Sequence, residues 1–126
     1  MKRIFCLGLL VFAVNVFAEC YIVDNISGTV YNKRDNYKPS IEKLYSNKIR
    51  IVLDGTNSSV STGGLAIVQT GKNVLMGIYT DENKTTIETW SLFPFEKKVL
   101  FTQTRNGVGD FDGAKTMIGD IVSECK

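Results

Sequence analysis

The side chains of this chain that could take part in chemistry are cysteines, carboxylates and hydroxyls, because the sequence contains no histidine. Without histidine, Ser-His and Cys-His nucleophilic catalysis and the commonest zinc and copper ligand sets are excluded. Among the carboxylates, Asp110 and Asp112 share one loop, as a calcium-binding or glycosidase-like pair would. A calcium loop that began at Asp110 would need a glutamate at its twelfth position, where Ile121 stands. We therefore predict a protein that is not an enzyme and that uses no metal and no cofactor.

Two cysteines lie near the ends of the part of the chain that we expect to be exported. The sequence has three cysteines, of which Cys6 lies in a predicted export signal, so Cys20 and Cys125 remain. An even number of cysteines in an exported chain indicates a disulfide. A catalytic or metal-binding thiol is disfavoured, because no histidine can act as base or co-ligand. A Cys20–Cys125 bridge requires the two Cα atoms within roughly 7 Å, so we expect the first and last elements to be neighbours.

The amino terminus has the pattern of an export signal. Two basic residues precede a largely apolar run from Ile4 to Val16, and the short side chains of Val16 and Ala18 suit signal peptidase. We place cleavage after Ala18, which separates a signal peptide, residues 1–18, from a single β-rich domain, residues 19–126. The apolar run is shorter than the roughly 20 residues that span a bilayer, and the compact signal is typical of bacteria. We expect an exported protein, periplasmic or secreted.

Charge gives little reason to expect nucleic acid or lipid as a partner. The chain has 15 basic and 13 acidic residues, and Lys2 and Arg3 leave with the signal, so the mature chain is neutral. A neutral chain has no general electrostatic attraction to nucleic acid or anionic lipid. Glu19 precedes Cys20, where lipid modification would need a small residue, and no later apolar run is long enough to span a bilayer. We expect no nucleic-acid partner and no stable membrane insertion after signal cleavage.

Short runs of β-branched and aromatic residues, separated by Gly, Asn, Asp and Lys, indicate many short strands. The predicted strands are Cys20–Tyr31 with a bulge or bend at Ser27-Gly28, Lys48–Leu53, Leu65–Gln69, Asn73–Tyr79, Thr85–Leu92, Lys98–Arg105 and Met117–Glu124. We also predict a helical turn at Ser40–Tyr45, a long loop or edge strand over Thr56–Gly64, and a helical or irregular segment around Asp112–Lys115. The apolar spacing of the last segment fits a helix as well as a strand, and the disulfide favours the strand. The prediction is an all-β or β-dominated α+β fold, a small antiparallel meander barrel or sandwich with its first and last elements joined by a disulfide.

An apolar cluster surrounds one predicted turn. Trp90, Leu92, Phe93 and Phe95 lie on either side of Pro94, where solvent-facing polar residues are expected. Packing into the core is the ordinary place for such residues. An exposed patch would instead mark a partner site or the mouth of a barrel. These four residues are the candidate contact patch for another extracytoplasmic protein.

The sequence favours a non-catalytic protein-interaction module of the inhibitor or immunity type. The features behind this hypothesis are small size, export, a disulfide-linked scaffold and the lack of a catalytic set. The alternative is a carrier of a small apolar ligand in a β-barrel, with an internal cavity lined by residues such as Ile51, Met76 and Trp90. A filled interior with an exposed apolar loop would favour the interaction module.

Intact mass spectrometry of protein from the extracytoplasmic fraction of its host tests export and the disulfide together. We expect a chain that begins at Glu19 and is lighter than its reduced form by the two hydrogen atoms lost when a disulfide forms. An intact Met1, or thiols at Cys20 and Cys125 that alkylate without reduction, would contradict this prediction.

Overall fold

A computed structural model describes residues 18–44 and 47–125, so the predicted export signal lies outside the described residues except for Ala18. Alternating apolar and polar side chains form nine strands here: β1 Glu19–Asn32, β2 Pro39–Lys43, β3 Ile49–Leu53, β4 Ser59–Val60, β5 Ala66–Gly71, β6 Val74–Asp81, β7 Lys84–Phe93, β8 Lys98–Asn106 and β9 Gly113–Glu124. In these two ranges, three short 3-10 turns occur at Lys33–Asp35, Gly55–Asn57 and Gly109–Phe111. Within the described ranges, no helix has the length and apolar character needed to cross a bilayer.

The nine strands belong to one antiparallel sheet that curls into a nearly closed barrel. Their order is β4-β3-β1-β9-β8-β7-β6-β5, and β2 also pairs with β1. Strands β5 to β8 form the predicted meander, and β9 continues it. Strands β4 and β5, at the two ends of this order, are not paired with each other. The predicted all-β barrel is confirmed, and a seam remains between β4 and β5.

Strand β1 is long enough to pair with three other strands. Its first half pairs with β3 and its second half with β2, while both halves pair with β9 on the other edge. The register shifts between Asp24 and Ser27, where Asn25 has a φ of 57°. This bulge bends the strand, and Ile26 is buried in the core. The bulge predicted at Ser27-Gly28 therefore occurs immediately before those residues.

Two glycines allow the close approach of β1 and β9. A Cβ atom at Gly28 would lie 2.1 Å from the backbone oxygen of Thr116. A Cβ atom at Gly119 would lie 2.6 Å from Cγ1 of Ile26, the residue that the bulge turns inward. Neither distance is compatible with ordinary packing, so the register of β1 against β9 requires glycine at both positions.

The disulfide predicted between Cys20 and Cys125 is present and joins the start of β1 to the residue after β9. The two Cα atoms are 5.0 Å apart, and the Cys125 amide donates a hydrogen bond of 2.9 Å to the Cys20 carbonyl oxygen. The bridged residues are separated by 105 positions. On the chain-entropy model, closing a loop of this length stabilises the fold by about 4–5 kcal/mol.

The inward faces of seven strands, β1, β3, β4, β6, β7, β8 and β9, meet in one apolar core. The most deeply buried large side chains are Trp90, Ile51, Leu75, Met117, Val23, Val30 and Val99. Trp90 and Phe101 face each other across β7 and β8, with ring centroids 4.3 Å apart. The buried apolar residues form a single cluster, so the barrel is organised around these two aromatic rings.

The connection after β1 differs from the prediction. Residues Pro39–Lys43 form strand β2, so the helical turn predicted over Ser40–Tyr45 is wrong, and Tyr45 itself lies outside the described residues. Strand β2 pairs with Ser27–Tyr31 of β1. Pairing with this free edge satisfies backbone groups on both strands, whereas a one-turn helix carries the full cost of nucleation. Proline at the first position of an edge strand is compatible with this arrangement.

Two further segments refine the prediction. Residues Gly113–Lys115 belong to β9, so the helical or irregular segment expected around Asp112–Lys115 is wrong beyond Asp112. These residues pair with β1 on one side and with β8 on the other, and two ladders outweigh a weak local preference. Within Thr56–Gly64, only Ser59–Val60 is a strand. That segment is therefore mostly loop with a minimal edge strand.

The double variant C20S/C125S tests the contribution of the disulfide. We expect its free energy of unfolding to fall by about 2–5 kcal/mol, because the unfolded chain is no longer constrained. Urea unfolding followed by circular dichroism measures the change, and reduced wild-type protein should unfold at the same urea concentration as the variant. Equal stability of the variant and the oxidised wild type would contradict the prediction.

Candidate functional site

The structure divides the predicted contact patch between the core and the surface. Trp90 and Leu92 are 1% and 2% exposed, whereas Phe93 is 40% and Phe95 is 93% exposed. Successive side chains of a strand point to opposite faces, which separates Leu92 from Phe93 at the end of β7. Trp90 and Leu92 therefore belong to the core, and the part of the patch at the surface is Phe93 and Phe95.

Phe95 lies at the tip of the turn between β7 and β8, residues Pro94–Lys97. The Lys97 amide donates a hydrogen bond of 3.3 Å to the Pro94 carbonyl oxygen, and Lys97 has a φ of 59°, which closes the turn. The Lys97 carbonyl oxygen accepts a hydrogen bond of 3.0 Å from the Ile121 amide. The turn is thus tied to β9 as well as to its own strands, which fixes the backbone that carries Phe95.

The outer face of β8 and β9 extends the apolar surface of this turn. Leu100 and Ile118 are paired across the two strands and are 39% and 50% exposed. Beside them, Nζ of Lys98 lies 2.6 Å from Oδ1 of Asp120. A hydrogen bond from Lys98 and, with a smaller effect, one from Asn25 lower the pKa of Asp120. We call this surface the turn face and define it by Phe93, Phe95, Leu100 and Ile118.

A cleft of about 180 Å³ opens at the seam of the barrel. Its lining consists of Leu44, Thr62, Gly63, Leu65, Glu88, Trp90, Phe101 and Gln103. Leu44 follows β2, and Leu65 precedes β5, so the walls come from connections between strands. The opposite wall of the cleft consists of inward-facing side chains of β7 and β8. The cleft therefore reaches the aromatic centre of the core from the surface.

Glu88 is a buried carboxylate in the lining of this cleft. It is 4% exposed, and one of its oxygens, Oε2, accepts a hydrogen bond of 2.6 Å from Nε1 of Trp90. Burial raises the pKa of Glu88 above its ordinary value, and hydrogen bonds with Trp90 and Gln103 and the charge of Lys115 oppose this rise. The carboxylate is held in place by hydrogen bonds, yet burial still disfavours its ionised form.

The interior of the barrel is polar at the level of Glu88. Glu88, Gln103 and Lys115 stand side by side on β7, β8 and β9. Nζ of Lys115 lies 3.7 Å from Oε1 of Glu42 on β2. The next level of the same three strands is apolar, with Trp90, Phe101 and Met117. The cleft thus joins a polar layer to an aromatic layer.

The loop that contains Asp110 and Asp112 is held by structural contacts. Asp112 accepts a hydrogen bond from the Val108 amide, and the guanidinium groups of Arg34 and Arg105 lie 4.8 and 5.8 Å from the centre of the Phe111 ring. In the part of the chain that the structure describes, no three His, Cys, Asp or Glu side chains are grouped so that they could hold a metal ion.

Sequence reasoning did not single out Glu88, Gln103 or Lys115. A signal for Glu88 exists, because the alternation of β7 places it on the same face as Trp90. A carboxylate on the face that carries the single tryptophan is unusual enough to mark a site. Gln103 and Lys115 follow only from the register of β8 and β9, which the sequence does not specify.

Comparisons with known proteins give no guide to these features. No protein-family model matches the chain, and neither a curated protein nor a solved structure shows significant similarity to it. The turn face and the cleft are therefore the features of the molecule that bear on its function.

Glu88 should make stability depend on pH. Its pKa in the folded state is raised above the value of about 4.3 for an unfolded chain, so the folded state binds this proton more tightly. Stability is then greatest below the unfolded pKa and falls as pH rises through the folded pKa. The variant E88Q keeps an acceptor for the Trp90 indole but cannot ionise. Its free energy of unfolding should therefore not show the decrease with rising pH that Glu88 causes.

Urea unfolding between about pH 4 and pH 8 measures the effect over the range where glutamate titrates in proteins. The matched control is E96Q, which removes a glutamate that is exposed on the turn between β7 and β8, and it should keep the wild-type profile. An E88Q variant with the wild-type pH dependence would show that Glu88 is not the source of it.

Proposed function

We propose that this protein is an exported, non-catalytic interaction module that binds another extracytoplasmic protein through the turn face, in the manner of an inhibitor. The observation that carries the proposal is the 93% exposure of Phe95 on a turn fixed by hydrogen bonds to its own strands and to β9. A phenyl ring exposed to water is stabilised when a partner buries it.

The rigidity of the turn supports binding through this residue. A backbone that is already held in place loses little conformational freedom when a partner binds to it. Aromatic residues that fill pockets commonly dominate the energy of protein interfaces. Phe95 therefore has the character of an anchor, and a partner should offer an apolar recess that accepts one phenyl ring.

The surroundings of Phe95 suit a protein surface. Phe93, Leu100 and Ile118 are half-exposed and would exclude water around the anchor. The charges of Lys98 and Asp120, which lie beside these residues, are paired with each other. An apolar partner surface could cover Leu100 and Ile118 without leaving the charge of Lys98 or Asp120 unpaired.

The carrier hypothesis requires an internal cavity for an apolar ligand. Ile51 and Trp90, two of the residues expected to line it, are packed in the core cluster at 0% and 1% exposure. Met76 neighbours the fully buried Leu75 and lies on the opposite face of β6. The cleft, at about 180 Å³, is smaller than the roughly 300–1,000 Å³ of ordinary small-molecule pockets. These observations favour the interaction module.

The variant F95S tests the proposal directly. Tagged wild-type protein is used to capture proteins from the extracytoplasmic fraction of the exporting host, and the dissociation constant of each captured protein is then measured. We expect F95S to bind the partner at least about thirtyfold more weakly, since truncation of an aromatic anchor costs about 2 kcal/mol or more.

The matched control is I41S. Ile41 is 78% exposed on β2, so this variant removes an exposed apolar side chain from another part of the surface and should bind like the wild type. Thermal unfolding of both variants verifies that each is folded. Wild-type affinity of F95S, or equal losses in F95S and I41S, would overturn the proposed function.

A further inference from the structure

The cleft at the seam differs in chemistry from the turn face. Glu88 is the single charged residue among the described residues that line it. Trp90 and Phe101 contribute aromatic rings, and Leu44 and Leu65 contribute aliphatic walls. The cleft therefore presents one carboxyl group within a mostly apolar and aromatic enclosure.

A cation matches this enclosure better than a neutral or anionic group. A buried carboxylate is stabilised by an opposite charge that also donates a hydrogen bond to it. Aromatic rings attract ammonium and guanidinium groups through the negative faces of their π-systems. An alkylammonium or alkylguanidinium group would satisfy Glu88 with its charge and the leucine walls with its methylene groups.

The other charges near Glu88 do not complete this site. Lys115 on β9 lies near Glu88 but has Glu42 on β2 as its ion-pair partner. The guanidinium of Arg105 on β8 lies over the ring of Phe111. On β6, the residue opposite Glu88 is Gly77, which carries no charge. When Glu88 is ionised, the two carboxylates and Lys115 together carry one net negative charge at this level of the barrel.

The size of the cleft limits its occupant. A volume of about 180 Å³ is below that of drug-sized pockets, so the occupant has few non-hydrogen atoms. A Cβ atom at Gly77 would lie 2.5 Å from Cδ1 of Ile67 and 3.2 Å from Cβ of Leu65. Glycine at this position lets Leu65 fold against β6, and the wall of the cleft depends on that contact.

We propose that this cleft is a binding site for an alkylammonium or alkylguanidinium group, which is held by the carboxylate of Glu88 and contacts the rings of Trp90 and Phe101. Two sources present this chemistry: a free small amine, and a lysine or arginine side chain of a bound protein. The site shares no residue with the turn face, so it does not depend on the proposed function.

The single tryptophan gives a specific readout. Its indole N–H donates to Glu88 at 2.6 Å, so one resonance in a ¹H–¹⁵N spectrum reports on the cleft. Titration of the folded, oxidised protein with n-butylammonium chloride should move this resonance saturably, with a dissociation constant on the order of millimolar for so small a ligand. The affinity should increase as pH rises through the pKa of Glu88, because the ionised carboxylate is the binding form.

Three comparisons identify the interaction. The variant E88Q should bind n-butylammonium at least about tenfold more weakly, the ratio expected when a charge-assisted hydrogen bond is lost. The variant E96Q, which removes an exposed carboxylate, should bind like the wild type. The neutral analogue n-butanol should bind at least about tenfold more weakly than n-butylammonium for the same reason.

A short peptide with one internal lysine distinguishes the two sources. If the peptide moves the indole resonance as n-butylammonium does, the cleft accepts a side chain of a partner. If only the free amine does so, the ligand is a small molecule. No saturable shift with n-butylammonium, equal affinity for n-butanol, or wild-type affinity in a folded E88Q variant would overturn the proposal.

Discussion

The pairing of the first strand with the last is the interaction on which the rest of this structure depends. Strand β1 pairs with β9 along almost its whole length, from Tyr21 opposite Glu124 to Asn32 opposite Gly113. Glycine at positions 28 and 119 permits the close approach of the two backbones, and the disulfide joins their ends. Because the meander from β5 to β8 ends in β9, this pairing attaches it to β1, β2 and β3 and curls one sheet into a barrel.

The same connectivity determines where the barrel stays open. With β1 and β9 paired in the middle of the sheet, its outer strands β4 and β5 meet without a ladder between them. At one end of this seam, the Gly55 amide, between β3 and β4, donates a hydrogen bond of 2.8 Å to Oε1 of Gln69 on β5. Elsewhere along the seam, loops flank the cleft that reaches Trp90 and Glu88. The connection between the two unpaired strands thus forms part of the wall of the cleft.

The parts of the fold that sequence could predict are those that depend on local alternation and on the cysteines. The strands from Leu65 to Arg105 were predictable because apolar and polar residues alternate between short turns. Strand β2 was not, because Ile41 is 78% exposed and the segment is a strand only through its pairing with β1. The apolar patch around Pro94 was predictable as a group, but the division of Trp90 from Phe95 depends on where β7 ends. The layer that contains Glu88 depends on cross-strand register, which no local pattern specifies.

Glu88 links the stability of the barrel to its proposed chemistry. Its hydrogen bond to the Trp90 indole requires only an acceptor oxygen, which a glutamine in the same place would also supply. The Trp90 contact therefore does not require a carboxylate. Burial disfavours the ionised form, and the hydrogen bonds with Trp90 and Gln103 and the charge of Lys115 offset this only in part. A cation bound in the cleft would favour the ionised form of Glu88, which burial disfavours. The proposed site therefore places a cation against the one group in the lining of the cleft whose charge burial disfavours.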